Sequence, residues 1–330
     1  VKLAILGAGA WGTAFALSQL PRHAVTLWSW KVDAATVIAA TRCNPLLPGV
    51  ALPAALTITA DLGAALDGAD LAVVATPTAA LRVTCERLAA AAPAVPVLWL
   101  CKGFEAGTGR FPHQVADATL AAGVANGALS GPSFADEVAV GRPAAVTVAS
   151  RDATFAQQLS RELSTPRLRV YSSSDLIGVE VGGAVKNVIA IAAGVADGLE
   201  AGLSARAALV TRGLAEITRL GVKLGGRTET FLGLSGAGDL ILTTTGDLSR
   251  NRRVGLALAR GTPLAQGLAD LGHVAEGVPT AREVRRLAAE HGVDMPITDA
   301  VARLLDGELA PREAAEALLR RDPSAEQRGY

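Results

Sequence analysis

Leu3-Ala4-Ile5-Leu6-Gly7-Ala8-Gly9-Ala10-Trp11-Gly12 carries a short apolar run into a glycine-rich turn, and residues 13–20 continue it at helical spacing. A GxGxxG alone is weak evidence. Directly after a buried strand and before a helix, it marks the first βα turn of a dinucleotide-binding domain. Gly7 permits the tight turn, Gly9 lets backbone approach a pyrophosphate, and Gly12 lets helix and strand pack closely. Backbone amides of the helix, expected to begin near Trp11, then meet the phosphates.

Around this turn, short β-branched runs alternate with Ala/Leu-rich helical runs, the pattern of a parallel α/β sheet. Strands are expected at Lys2–Leu6, Ala24–Trp28 and residues 56–59, 71–75, 95–100, 128–130, 145–149 and 168–171, with helices at 13–20, 34–41, 81–91 and 111–121. The last strands lack long crossovers, so the sheet should become mixed towards its end. From Asp175 onward the β-rich runs cease, and helical spacing takes over at Leu176–Gly198, 204–224, Arg250–Ala259, 280–291, 297–305 and 312–320. Ser204, Thr280 and Pro311 stand where helix starts are expected. The fold class is α/β plus all-α: an N-terminal Rossmann domain over residues 1–173 and a C-terminal helical, substrate-binding domain over 174–330, divided at the polar tripeptide Ser172-Ser173-Ser174. The tail 322–330 is polar and expected to fray.

The end of the second strand selects the ribose. A site for NAD usually places Asp or Glu there, to bind the 2′-hydroxyl. This chain has Trp28-Ser29-Trp30-Lys31, with Asp33 only later. Lys31 can neutralise a 2′-phosphate and Trp30 can cover the adenine, which favours NADPH, with NADH as the alternative.

At 330 residues the chain exceeds the size at which single cores stop growing, about 250–300 residues. Half its residues are hydrophobic, enough for sizeable cores, and 31 basic against 31 acidic residues leave no overall field to attract nucleic acid or an anionic membrane. The three cysteines, Cys43, Cys85 and Cys101, form no metal or disulfide pattern, and none of the four histidines lies in an HxxxH pair. Reduced thiols and no bound metal are expected. The chain enters its first strand directly after Val1-Lys2, so no secretory signal is expected. The most apolar later stretch, 181–196, is interrupted by Lys186 and Asn187 and is expected to be too short in its pieces to span a bilayer.

Hydride transfer to a carbonyl needs an acid to deliver the proton. His23 in a surface-like turn, and His113 and His291 in polar helical contexts, do not suit. His273, in a turn near Glu276, suits little better. Lys186 is the stronger candidate. It lies in Gly182-Gly183-Ala184-Val185-Lys186-Asn187-Val188-Ile189 on an apolar helix, where lost hydration should lower its pKa towards neutrality. Snorkelling or structural pairing is the competing reading. Gly131-Pro132-Ser133-Phe134-Ala135 follows a short strand and should lie at the carboxyl edge of the sheet, where open α/β folds bind ligands. Lys102-Gly103 follows residues 95–100 in the same way. Ser249-Arg250-Asn251-Arg252-Arg253 places three arginines in the first turn of a helix, unfavourable unless an anion or carboxylates compensate. A phosphate suits that position, and Ser249 suits an N-cap. Asp239, closing the turn Gly236-Ala237-Gly238, can bind substrate hydroxyls or hold Lys186 in place.

Together these motifs resemble the bacterial NAD(P)-dependent glycerol-3-phosphate dehydrogenases. The resemblance is collinear through Gly7 to Ala14, Cys101-Lys102-Gly103, Ser130 to Ala135, Gly182 to Asn187, Gly236 to Leu240, Ser249 to Arg253 and Ala275-Glu276-Gly277. Its most specific part is the lysine-asparagine helix combined with the SRNRR helix start. It implies reversible reduction of dihydroxyacetone phosphate to sn-glycerol 3-phosphate for phospholipid synthesis, in a cytoplasmic protein that is often a homodimer. It also implies Lys186 as the catalytic acid/base. Substrate contacts are implied at Lys102, Gly131, Ser133, Asp239, Ser249, Arg250 and Asn251, and cofactor contacts at Ala10, Trp11, Trp30, Lys102, Ala135, Arg250, Val274 and Glu276. Where many members carry Arg or His, this chain has Trp30, with Lys31 beside it. A related Rossmann hydroxy-acid reductase and a non-catalytic NADPH-binding sensor are the alternatives.

Overall fold

The structure is a computed structural model and describes residues 1–272 and 275–319. The chain divides into two compact units, Val1–Leu176 and Ile177–Tyr330.

The first unit is built on strands β1 (Lys2–Leu6), β2 (Ala24–Trp28), β3 (Thr57–Thr59), β4 (Leu71–Val74), β5 (Val97–Trp99), β6 (Asn126–Ser130), β7 (Ala144–Ala149) and β8 (Leu168–Ser173). They form one sheet in the order β3-β2-β1-β4-β5-β6-β7-β8. Strands β1 to β6 pair in parallel, β7 runs antiparallel to β6, and β8 returns parallel to β7. The sheet is therefore mixed at its far end, as expected. β1, β4 and β5 are buried almost throughout, and so read as continuous apolar runs rather than alternating ones. The strand order reverses between β1 and β4. In open α/β sheets the crevice beyond the carboxyl ends at such a point holds the ligand.

Helices α1 (Ala10–Gln19), α2 (Val32–Thr41), α3 (Leu62–Leu66), α4 (Leu81–Ala91), α5 (Pro112–Thr119), α6 (Ala135–Ala139) and α7 (Ala153–Leu163) complete this unit. α3, α6 and α7 are absent from the sequence reading. The first two, at five residues each, are too short to show a helical period. α7 carried a usable signal: Asp152 caps it by accepting from the backbone N–H of Thr154 and Phe155, and Phe155, Leu159 and Leu163 are buried at four-residue spacing. The core joins Leu3, Ile5, Phe15, Val73, Leu98 and Leu129 with Val146, Val148, Leu159 and Leu163.

The second unit is helical throughout its described residues. α8 (Leu176–Gly198) and α9 (Leu203–Lys223) are followed by α10 (Thr228–Leu232), a π-helical turn at Leu234–Gly238, α11 (Asp239–Thr245), α12 (Arg250–Ala259), α13 (Leu264–Leu271), α14 (Gly277–His291), α15 (Pro296–Leu305) and α16 (Pro311–Leu319). The long helices fall where their spacing placed them. α10, the π-turn, α11 and α13 were not expected. Pro311 is the first residue of α16, but Gly202 rather than Ser204 caps α9, and Thr280 lies inside α14, whose cap position is Glu276. A hydroxyl residue near an apolar run identifies a helix start only to within a few residues.

Lys186 and Asn187 do not divide α8. It is one continuous helix of 23 residues, long and apolar enough by length and composition to cross a bilayer, and its most apolar window is 94% buried within the protein. Glycines let its neighbours approach to backbone contact. A Cβ on Gly182 would lie 2.5 Å from the Ser235 carbonyl oxygen, and one on Gly194 would lie 2.0 Å from that of Arg252. A Cβ on Gly255 would come equally close to α8, 2.1 Å from the Ile191 carbonyl oxygen. The small residues around Lys186 thus bring the π-turn and the start of α12 against the lysine helix.

Elsewhere in the unit, Glu216 of α9 is 1% exposed and serves as the acceptor for the start of α15. The Ile297 N–H donates to its Oε1 at 2.6 Å, and the Thr298 N–H and Oγ1 donate to Oε2 at 3.1 and 3.0 Å. Burial pushes this carboxyl up to about 7, in spite of the three donors that favour its ionised form.

Candidate active site

In the first unit the glycines of the β1–α1 turn divide their work as their spacing implied. Gly7 has φ +130°, and a Cβ there would lie 2.8 Å from the Ala75 backbone. On Gly12 a Cβ would lie 2.1 Å from the Gly7 carbonyl oxygen. A Cβ on Gly9 would meet nothing within 4 Å, so this residue leaves open space beside the first amides of α1, which it caps. That open cradle at a helix N-terminus fits a pyrophosphate. Ala10, Trp11 and Ala135 pack into one apolar cluster with Ala14, Leu47, Val50 and Val138.

Because β5 and β6 are neighbouring parallel strands, the residues after them emerge side by side. The Lys102 ammonium donates to the Gly131 carbonyl at 3.4 Å, and the Ser133 hydroxyl donates to the same carbonyl at 3.1 Å. Thr78 Oγ1 donates to the Lys102 carbonyl at 3.1 Å. The loop beyond Lys102 is braced by a two-point ion pair from Arg82 of α4 to Glu105, at 2.6 and 3.0 Å. Arg82 holds the Glu105 carboxyl below its ordinary range. At the end of β2, Trp30 is 66% exposed and the Lys31 ammonium lies 5.2 Å from the centroid of its ring.

In the second unit Lys186 is buried at 7% exposure. Its ammonium donates to Asp239 Oδ1 at 2.5 Å and to Thr243 Oγ1 at 2.7 Å. Thr243 in turn donates to the Asp239 carbonyl at 2.6 Å. Asp239 is the first residue of α11 and follows the π-turn directly, so the glycine turn Gly236-Ala237-Gly238 aims a carboxylate and, one helical turn later, a hydroxyl at the same amine. Asp239 thus holds Lys186 in place, one of the two roles its position in the sequence left open.

Ser249 caps α12, accepting from the Arg252 N–H at 3.2 Å. The crowding of arginines is relieved by carboxylates at one of them. Arg252 donates to Asp197 at 2.8 Å and to Asp247 at 2.9 Å. Arg250 is exposed, and among the described residues no carboxylate pairs with it. Asn251 is buried, donating to Asn187 Oδ1 at 2.9 Å and accepting from the Gly277 N–H at 3.0 Å. Asn187 therefore ties α8 to α12 and to the start of α14. Among the described residues no group of three or more His, Cys, Asp or Glu side chains is placed to hold a metal.

Two family models cover almost the entire chain: the NAD-dependent glycerol-3-phosphate dehydrogenase N-terminus matches residues 2–156 and its C-terminus matches residues 175–316. The chain belongs to the NAD-dependent glycerol-3-phosphate dehydrogenase family. It is 58% identical over 327 residues to the glycerol-3-phosphate dehydrogenase [NAD(P)+] of Dechloromonas aromatica, covering 99% of both chains. The enzyme of that name from Thiobacillus denitrificans is 57% identical, over 99% of this chain and all of the relative. Among solved structures, glycerol-3-phosphate dehydrogenase from Coxiella burnetii superposes with a TM-score of 0.92 at 41% identity, covering 97% of this chain and 99% of the other.

This glycerol-3-phosphate dehydrogenase family member brings its candidate residues together in two sets. Gly7 to Gly12, Lys102, Gly131 and Ser133 gather at the carboxyl edge of the sheet, with Ala135 beside Trp11. Lys186, Asp239, Ser249, Asn251 and Glu276 gather where α8, α11, α12 and α14 begin or cross. Val274 and His273 lie outside the described residues, as does the tail 322–330. Two histidine readings are corrected. His23 is buried with Nε2 2.9 Å from the Glu162 carbonyl oxygen, and His113 is buried and stacked on Phe111 at 5.7 Å. Both are packing residues. The sequence offered Asn187 only as part of the lysine-asparagine motif and gave no role to Thr243 or Asn44. Thr243 stands four residues after Asp239 in a helix, a spacing that puts both side chains on one face. That was the available signal.

Proposed function

We propose that this chain reduces dihydroxyacetone phosphate reversibly to sn-glycerol 3-phosphate, supplying phospholipid synthesis, with NADPH preferred over NADH. The observation that carries the reading is the buried Lys186 ammonium held by Asp239 and Thr243, in a unit that also presents a helix start with an arginine free to take a phosphate. A bound nicotinamide supplies the hydride. Lys186 delivers the proton to the carbonyl oxygen and takes it back in the reverse direction, while Asp239 and Thr243 hold the amine in one orientation. Ser249, Asn251 and Arg250 bind the phosphate through the N-terminus of α12 and charge-assisted hydrogen bonds. Lys102, Gly131 and Ser133 are assigned to the substrate's polar groups. Gly7, Gly9, Ala10, Trp11, Gly12, Trp30, Lys31, Lys102, Ala135, Arg250, Val274 and Glu276 are assigned to the dinucleotide.

Initial rates of NADPH consumption with dihydroxyacetone phosphate, set against 2- and 3-keto acids, test this directly. Turnover confined to the keto acids would transfer the chain to hydroxy-acid reduction, and nucleotide binding with no turnover would make it a sensor. Arg250→Ala is expected to raise KM for dihydroxyacetone phosphate about 10–100-fold, the size of a charge-assisted contact. An unchanged KM would place the phosphate elsewhere. Lys31→Ala should lower the preference for NADPH over NADH about five-fold, as befits an exposed cation. The ratio of kcat/KM for the two nucleotides reads this out, and a constant ratio would remove Lys31 from 2′-phosphate recognition. The family pattern also supports a cytoplasmic homodimer, which light scattering of the purified chain would check.

A further inference from the structure

Asn44 lies in the loop after α2, outside the glycine turn and the lysine helix, and is 2% exposed. Its Nδ2 donates to the Ala8 carbonyl at 3.0 Å and to Thr13 Oγ1 at 2.7 Å, while its Oδ1 accepts from the Leu46 N–H at 3.0 Å. A backbone N–H can only donate and a backbone carbonyl can only accept, so the amide has one orientation. Ala8 is the residue between the first two glycines of the dinucleotide turn. Its carbonyl and the N–H of Gly9 belong to a single planar trans peptide and point in opposite directions. Holding the carbonyl towards Asn44 therefore turns the Gly9 N–H away from Asn44. The second hydrogen bond fixes the same amide to α1, and Leu47, three residues on, is buried in the cluster that contains Ala10, Trp11 and Ala135.

We propose that Asn44 is a positioning residue for the nucleotide: it presets the peptide plane that aims the glycine-turn amides at the pyrophosphate, and residues 44–50 act with it as a strap over the start of α1. The proposal rests on the cofactor reading above. It extends that reading to a side chain that need not touch the ligand.

The test uses the full-length chain. NADPH affinity is measured by fluorescence titration, KM and kcat for dihydroxyacetone phosphate are measured at saturating NADPH, and Tm is recorded for wild type, Asn44→Ala and Asn44→Asp. The Asp variant keeps the shape and the bond from Leu46 but sets an oxygen against the Ala8 carbonyl. Both variants are expected to weaken NADPH binding about ten-fold or more, with KM for dihydroxyacetone phosphate and kcat held within about two-fold. Wild-type NADPH affinity in either folded variant would overturn the proposal. So would a parallel loss in KM, kcat and Tm, or failure of both variants to fold, because each would mark Asn44 as part of the general framework. A wild-type chain that neither binds NADPH nor turns over dihydroxyacetone phosphate would instead sink the cofactor reading itself.

Discussion

Lys186→Ala is expected to lower turnover of dihydroxyacetone phosphate by ~10²–10⁴-fold, the range for loss of a general acid, while NADPH affinity stays near wild type. A second effect follows from the geometry. Asp239 is 1% exposed and would lose the ammonium now 2.5 Å away. Removing one partner of a buried ion pair costs about 3–5 kcal/mol, because the remaining charge stays buried. Activity loss in the single variant is therefore mixed with destabilisation. Lys186→Ala combined with Asp239→Asn separates the two, since it should recover most of the lost Tm and none of the turnover. Near-normal kcat in either variant would remove Lys186 from proton transfer.

Glu216→Ala is expected to destabilise the second unit by about 3 kcal/mol, because burial would leave the Ile297 and Thr298 donors unsatisfied at about 1–3 kcal/mol for each. The same residue gives the protein a pH dependence. With its folded pKa raised from 4.5 to about 7, the native state holds a proton between those values that the unfolded chain has released. Its contribution is therefore greatest below the unfolded value and declines as pH rises through the folded one, by up to about 3 kcal/mol across the window. Chemical denaturation of wild type and Glu216→Gln between pH 5 and 8 isolates the effect. The difference between the two stability curves should slope across that range, and parallel curves would show that the carboxyl does not titrate there.

The legible parts of this protein were those written in contiguous residues. The glycine turn, the long helices, the parallel strands and the N-cap at Ser249 follow from local sterics, hydrogen-bonding capacity and hydrophobic period, all of which act over a few neighbours. Lys186 was legible for the same reason, as an ionisable group set in an unbroken apolar stretch. Boundaries were less so: Thr280 looked like a cap but lies within α14, and the short helices α3, α6 and α10 have too few residues to display a period.

Pairings across the chain were a different matter. Asp239, 53 residues from Lys186, was offered by the sequence as its partner only beside another role, and nothing named Thr243, 57 away. Asn187 and Asn251 likewise read as unrelated amides, and Asn44 as an ordinary loop residue. Which of the arginines in residues 250–253 is spent on a carboxylate depended on where Asp197 and Asp247 came to lie. The amino-acid order by itself determined the two kinds of architecture, the glycine turn between β1 and α1, and the lysine set in an apolar helix. Tertiary structure alone decided what holds each functional group, because desolvation and hydrogen bonding depend on distance through space, and close packing at Gly182, Gly194 and Gly255 sets those distances.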